Sequence, residues 1–155
     1  MNRGDGLRVL VNESFSTKVD PLLKTYFAAS AIAFAFFVII DFIWLSNAAR
    51  LIYKPQIGSL LLDRPNIPPA IVFYLLYGIG LSVLVIRPAL LGDSVLSALW
   101  MGCLFGLVAY GTYDLTNAAT LRGWSLKVTI IDMAWGSALT GAAAAAGVWI
   151  AARLT

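Results

Sequence analysis

The sequence predicts an all-α integral membrane protein, a bundle of four transmembrane helices behind a polar N-terminal tail. Three observations lead there. The 155 residues are 60% hydrophobic and only 12% charged, where soluble domains sit near 45–50% and about 25%. The mean hydropathy is +0.83. The apolar residues fall into four long runs, and a helix of about 20 such residues crosses a bilayer.

Residues 1–24 are mixed and polar, with Gly4, Gly6, Asn12, Ser14 and Ser16. They read as a mobile or interfacial segment ahead of a transmembrane domain over 25–155. The first run, about 25–49, is too long and too acidic, with Asp41 inside it, for a cleaved signal peptide. Residues 50–68 carry three prolines, a glycine and several charges, and read as a loop. Pro68-Pro69 then opens a second span over about 70–86; proline suits a first helical turn, where its missing N–H has no helical partner anyway. Arg87-Pro88 closes that span with a turn. The third span covers about 94–118, a tight connection holds Gly123, and the fourth span covers about 126–152.

Four spans place both termini on one side. Arg3, Arg8, Lys18, Lys24, Arg87 and Arg153 lie on that side, and Arg50, Lys54, Arg64, Arg122 and Lys127 on the other. The balance favours cytoplasmic termini under the positive-inside rule. The net charge of +3 then reflects loop residues beside lipid headgroups. No nucleic-acid motif is present.

What the chain lacks limits its chemistry. It has no histidine and a single cysteine, Cys103. The usual metal ligands and the usual general base are therefore missing, and neither a metal nor a cofactor is expected. An enzyme acting on a lipid or isoprenoid is the least supported reading. A metal-dependent prenyl-transfer site calls for clustered acidic motifs, and the acids here stand singly.

Those acids are the candidate site. Asp41, Asp114 and Asp132 interrupt apolar runs, and an ionisable group inside a membrane is a functional candidate by default. Exits of odd helices and entries of even ones share a membrane face. Asp41, Asp114, Asp132, Tyr74 and Tyr77 therefore fall in one half of the bilayer, opposite the termini. Trp44, Tyr110, Tyr113, Asn117 and Trp135 belong to the same layer. Tyr110, Asp114 and Asn117 share a helix face at i, i+4 and i+7. The opposite half of each helix reads as almost purely apolar (AASAIAFAFF, IGLSVLVI, VLSALWMGCLFG). A local echo links the outer helices: Ile39 to Ser46 and Ile130 to Ser137 both read I-I-D-x-x-W-x-S. These helices run antiparallel, so tandem duplication does not explain it.

Two functions follow from the layer. It handles protons, a cation or a small amphipathic ligand, as in a carrier or binding protein. Otherwise the acids tie helices together in a structural subunit. For the latter, helix four offers small residues at Gly136, Thr140 and Ala144, with Gly141 and Ala145 alongside. These suit close packing inside the chain, a homodimer or a membrane-complex partner. Trp124 reads as an interfacial anchor.

At DFIWL (Asp41–Leu45), FYLLYG (Phe73–Gly78), RPAL (Arg87–Leu90), YGTYDLTNAATLRGW (Tyr110–Trp124) and DMAWG (Asp132–Gly136), the chain resembles a family of small bacterial predicted membrane proteins catalogued as a domain of unknown function. The likeness covers roughly 25–151. It implies a four-helix protein of the bacterial inner membrane and no particular activity. A second likeness, in Pro65 to Pro69 and the following Val72-Phe73 and Leu76-Tyr77, is to the tryptophan-rich sensory proteins that bind tetrapyrroles and sterols, which have five helices against four here.

Overall fold

The computed structural model describes the backbone of residues 3–154 and the side chains of 21–154. Helix α1 covers Arg3–Ala48. The polar tail expected over 1–24 falls largely on residues whose side chains lie outside those described. A π-helical segment, Ala49–Tyr53, carries the chain into a short α2, Lys54–Ile57, and a 3₁₀ turn, Gly58–Leu60. Helix α3 (Ile67–Gly80) continues through a second π segment, Leu81–Ile86, into α4 (Arg87–Leu91). Helices α5 (Val95–Thr120) and α6 (Leu126–Leu154) complete the bundle. Four stretches are long and apolar enough to cross a membrane: Pro21–Leu60, Ile67–Leu91, Val95–Thr120 and Leu126–Leu154. The four-helix expectation therefore holds.

Two boundaries differ from the sequence reading, for one reason. Helical backbone continues past Ala49 to Leu60, where a loop was expected, and past Arg87 to Leu91, where a turn was expected. In each case a π segment ends just before a basic residue and a proline, Lys54-Pro55 and Arg87-Pro88. A proline inside a helix cannot donate to the carbonyl four residues back, and its ring collides with that carbonyl. The wider π turn relieves the collision without ending the helix. Pro68 and Pro69, by contrast, sit in the first turn of α3, where proline costs nothing. Asp93, at φ 47°, and Gly123, at φ 76°, turn the chain into α5 and α6. Ser94 caps α5 by accepting the Ser97 N–H at 3.0 Å.

Inside and outside are reversed relative to a soluble protein. Phe27, Ile39, Phe42, Leu76, Trp100 and Ile130 are exposed, as befits lipid-facing positions, while the buried set is rich in small and polar residues. Helix α6 packs on α5 through a glycine seam. A Cβ added at Gly102 would stand 2.8 Å from the Thr140 carbonyl, and one at Gly106 would strike the Gly136 carbonyl. Another face of α6 meets α1, where a Cβ on Gly147 would come within 2.5 Å of the Ala29 carbonyl. The small residues of α6 are thus occupied within the chain, and van der Waals contact across them holds the helices in lipid.

The core is layered along the helices. Ala29, Ala33, Leu81, Val85, Ile86 and Ala144 fill the layer nearer the termini, and Phe37, Tyr77, Leu139 and Ala143 fill the middle. The terminal half is not purely apolar. Ser82, in the second π segment, donates to the Tyr26 hydroxyl at 2.6 Å and lies 2.7 Å from the Ser30 hydroxyl. Since the Ser82 proton goes to Tyr26, Ser30 is the donor in the second bond. Three hydroxyls in apolar runs satisfy one another, which hid them from a reading by composition.

Candidate functional site

Asp41 gathers the bundle onto one carboxylate. It projects from α1 and is 3% exposed, beside Phe42, which is 69% exposed. The Tyr74 hydroxyl of α3 donates to Asp41 Oδ2 at 2.6 Å. The Tyr110 hydroxyl of α5 and the Trp135 indole N–H of α6 both donate to Oδ1 at 3.1 Å. Each of the other three spans therefore supplies one donor to the acid of the first. An uncompensated carboxylate in hydrocarbon costs about 2.5–3.5 kcal/mol on insertion scales, and charge-assisted bonds from three donors offset such a cost.

Asp132, on α6, accepts a 2.5 Å bond from the Tyr53 hydroxyl. That hydroxyl in turn accepts the Trp44 indole N–H at 3.1 Å. Trp44 and Trp135 stack with centroids 4.3 Å apart and planes 13° from parallel. The I-I-D-x-x-W-x-S echo thereby acquires a geometry. Each tryptophan lies three residues beyond its own acid and serves the acid of the opposite helix, Trp135 directly and Trp44 through Tyr53.

Asp114 differs from both. It is 0% exposed, and neither carboxylate oxygen has a hydrogen-bond partner. It lies within electrostatic reach of Asp132, which in turn lies within reach of Asp41.

A cavity of about 680 Å³ opens beside this network. Asp41, Asp132, Tyr53, Tyr74, Tyr110 and Tyr113 are among its polar lining, with Thr112 and Thr116, and Leu45, Ile57, Leu61, Phe73, Ala109 and Val128 are among the apolar groups. Among the described residues no lysine or arginine lines it. Its size is that of an ordinary small-molecule site.

The structure thus brings together Asp41, Trp44, Tyr74, Tyr110, Asp132 and Trp135. Tyr77 turns elsewhere: its hydroxyl pairs with Thr140 at 2.6 Å and its ring stacks on Phe37 at 4.5 Å. Thr140 gives its proton to the Gly136 carbonyl, so Tyr77 is the donor of that pair. Tyr113 is 57% exposed, with its ring edge-on to Trp124. Asn117 is half-buried and does not line the cavity. Other hydroxyls and amides of the layer return to their own helix. Asn47 donates to the Ile43 carbonyl and Thr112 to the Val108 carbonyl, both at 2.7 Å, the usual way for a polar side chain to be satisfied in lipid.

Besides apolar lining residues, two hydrogen-bonding groups of the cavity wall, Tyr53 and Trp124, were missed in the sequence. Tyr53 lay in the stretch taken for a loop, and only the π segment aims it at Asp132. Trp124, read as an interfacial anchor, lines the cavity and donates to the Thr129 hydroxyl at 3.0 Å. No signal in the sequence marked this placement; in the structure Ser125 donates to Gln56 at 2.9 Å, which holds the 50–60 stretch beside the start of α6.

Comparison with known families places the chain. A family model described as "Predicted membrane protein (DUF2177)" matches residues 22–149. The chain belongs to this family. The match spans all four helices, including every residue of the acid and tryptophan network. No curated protein and no solved structure matches the chain. The DUF2177 assignment accounts for the membrane character and leaves the role of the cavity to its chemistry.

Proposed function

We propose that this DUF2177 protein is a small multi-pass binding protein or carrier of a bacterial inner membrane, with cytoplasmic termini. Its ligand is a small amphipathic molecule with a cationic or hydrogen-bond-donating head. One observation carries this reading: the cavity's charged wall is wholly acidic. Among the described residues Asp41 and Asp132 lie on it with four tyrosines and no basic side chain. An anion entering there would meet two carboxyl groups in a low-dielectric setting, where repulsion is strongest. A cation would find two acids, phenol oxygens and aromatic faces, all favourable to positive charge. The apolar remainder of the wall suits a hydrocarbon body.

The structural-subunit reading has less to rest on. The small residues of α6 that would present a docking face are packed against α5 and α1.

The test uses two probes of nearly equal size and opposite charge. Titration calorimetry on the full chain in lipid nanodiscs, against tetraphenylphosphonium and tetraphenylborate, is expected to give saturable binding of the cation alone. Asp132→Asn weakens it by about tenfold, roughly 1.4 kcal/mol. Equal binding of both ions, or of neither, defeats the proposal.

A further inference from the structure

Asp114 has no part in the network that occupies the other two acids. Asp41 receives three donated hydrogen bonds and Asp132 receives one. Asp114, fully buried, receives none at either oxygen. It stands behind the cavity wall, one helical turn beyond Tyr110, which is part of that wall. The titratable groups in electrostatic reach of it are Asp132, from α6, and Tyr113, on its own helix. Neither supplies a compensating positive charge: Asp132 is an acid of the same kind, and Tyr113 is a phenol.

A buried carboxylate needs compensation from donors, a paired base or a bound cation. Among the described residues no donor reaches Asp114 and no base is in electrostatic reach of it. A divalent metal demands six or more oxygen ligands in calcium's case and a near-octahedral set in magnesium's. Among the described residues no group of three or more acids, histidines or cysteines stands close enough to supply one. One carboxylate carries one negative charge, which a single monovalent cation neutralises, whereas a divalent ion would leave a positive charge buried.

We propose that Asp114 holds an exchangeable monovalent cation, which leaves to solution when the cavity takes up a cationic ligand beside Asp132. This rests on reading the cavity as a cation site. The three acids form one electrostatic chain, Asp114 to Asp132 to Asp41. Positive charge arriving at Asp132 repels the cation on Asp114 and takes over part of its neutralising role. The net charge of the buried region is conserved by the exchange. Linkage makes the effect reciprocal, so loading Asp114 weakens ligand binding by the same factor.

Two measurements on the full chain in nanodiscs test it. The first needs no ligand and distinguishes a proton from sodium. Infrared spectra of the wild type at neutral pH are expected to show a protonated-carboxyl C=O band that Asp114→Asn removes and Asp114→Glu shifts. If sodium is the occupant, the band is missing in sodium buffer and returns when choline replaces sodium. No Asp114 band in either buffer means an uncompensated carboxylate and overturns the proposal. The second is calorimetry with tetraphenylphosphonium, whose charge is fixed, in buffers of different ionisation enthalpy and in sodium or choline. About one cation is expected to leave per probe bound to the wild type, and none per probe bound to Asp114→Asn. Binding without release in the wild type, or equal release in the variant, overturns the exchange. Failure of the probe to bind at all counts against the cavity reading, while the infrared result still decides whether Asp114 is loaded.

Discussion

Trp135 donates its indole N–H to Asp41 at 3.1 Å across 94 positions of sequence, while lying flat against Trp44, which serves Asp132 through Tyr53. Antiparallel helices that carry the same short motif on facing sides are related by a local two-fold axis, and reciprocal contacts follow from that symmetry. The tie is imperfect, because one arm needs a phenol to bridge it. The motif therefore acts as a brace between the first and last spans, set where a ligand-sized cavity interrupts ordinary packing.

The brace predicts energetic coupling between the two tryptophans. Trp135→Phe keeps an aromatic ring against Trp44 but removes one donor from Asp41, which retains two phenols. A cost of about 0.6–1.7 kcal/mol is expected, the range of hydrogen bonds between membrane helices. Trp44→Phe removes a donor from Tyr53. Because both phenylalanines still stack, the aromatic pair itself is read from Trp44→Leu and Trp135→Leu, whose double variant is expected to depart from additivity by about 0.5–1.5 kcal/mol. Reversible unfolding in mixed micelles measures the cycle, and strict additivity would show that the stack carries no energy of its own.

Asp41 should tolerate asparagine far better than alanine. Asp41→Ala strands the Tyr74, Tyr110 and Trp135 donors in a buried layer, and each stranded group costs about 1–3 kcal/mol before relaxation. Asparagine keeps an acceptor oxygen for at least one of them. The expected order of thermal midpoints is wild type, then Asn, then Ala, with the larger gap before Ala. Equal midpoints for the two variants would mean that the three donors find other partners.

The depth of these groups was legible in the sequence, and their direction was not. Alternating helices of known length fix how far into the membrane Asp41, Tyr74, Tyr110 and Asp132 lie, and that placed them in one layer. Rotation about each helix axis depends on packing. Tyr74 and Tyr77 are three residues apart and share a depth, yet one donates to Asp41 and the other to Thr140. Close approaches at glycine set the rotation: on α3, Gly78 faces the Phe34 ring and Gly80 the Phe105 ring, and on α5, Gly102 and Gly106 face Thr140 and Gly136 of α6. Tyr53 was hidden for a different reason. Prolines at 55, 65 and 68 mark a loop by ordinary rules, and nothing in a single sequence tells a π turn that absorbs a proline from a helix that ends there.

Tyr53 also ties the 49–60 arm to the bundle, which gives a dynamic prediction. Its hydroxyl bonds Asp132, and Gln56 accepts from Ser125 at 2.9 Å. Both links join the arm to the start of α6. Tyr53→Phe removes the first and leaves Trp44 without its acceptor. Amide hydrogen exchange over residues 49–60 is expected to rise severalfold, while exchange in the middle of α5 and α6 stays at its wild-type level, since local opening follows local contacts. Faster exchange throughout the bundle would instead make this hydrogen bond a determinant of global stability.

Glycine positions separate seam from surface with opposite signs. At Gly106 an added methyl would run into the Gly136 carbonyl, a backbone atom that has little room to retreat. Gly106→Ala is therefore expected to cost about 1–3 kcal/mol, the usual penalty of overpacking. At Gly58 the backbone is helical, with φ −56°, and an added Cβ meets nothing within 4 Å. Gly58→Ala restricts the unfolded chain without native strain and should stabilise by about 0.4–1 kcal/mol. Unfolding of both variants, with their masses measured in the same detergent, checks the signs. Because the Gly106 seam is internal, the loss should come without any change in oligomeric state. A variant that keeps its stability but changes its stoichiometry would move the seam from the inside of the chain to an interface between chains.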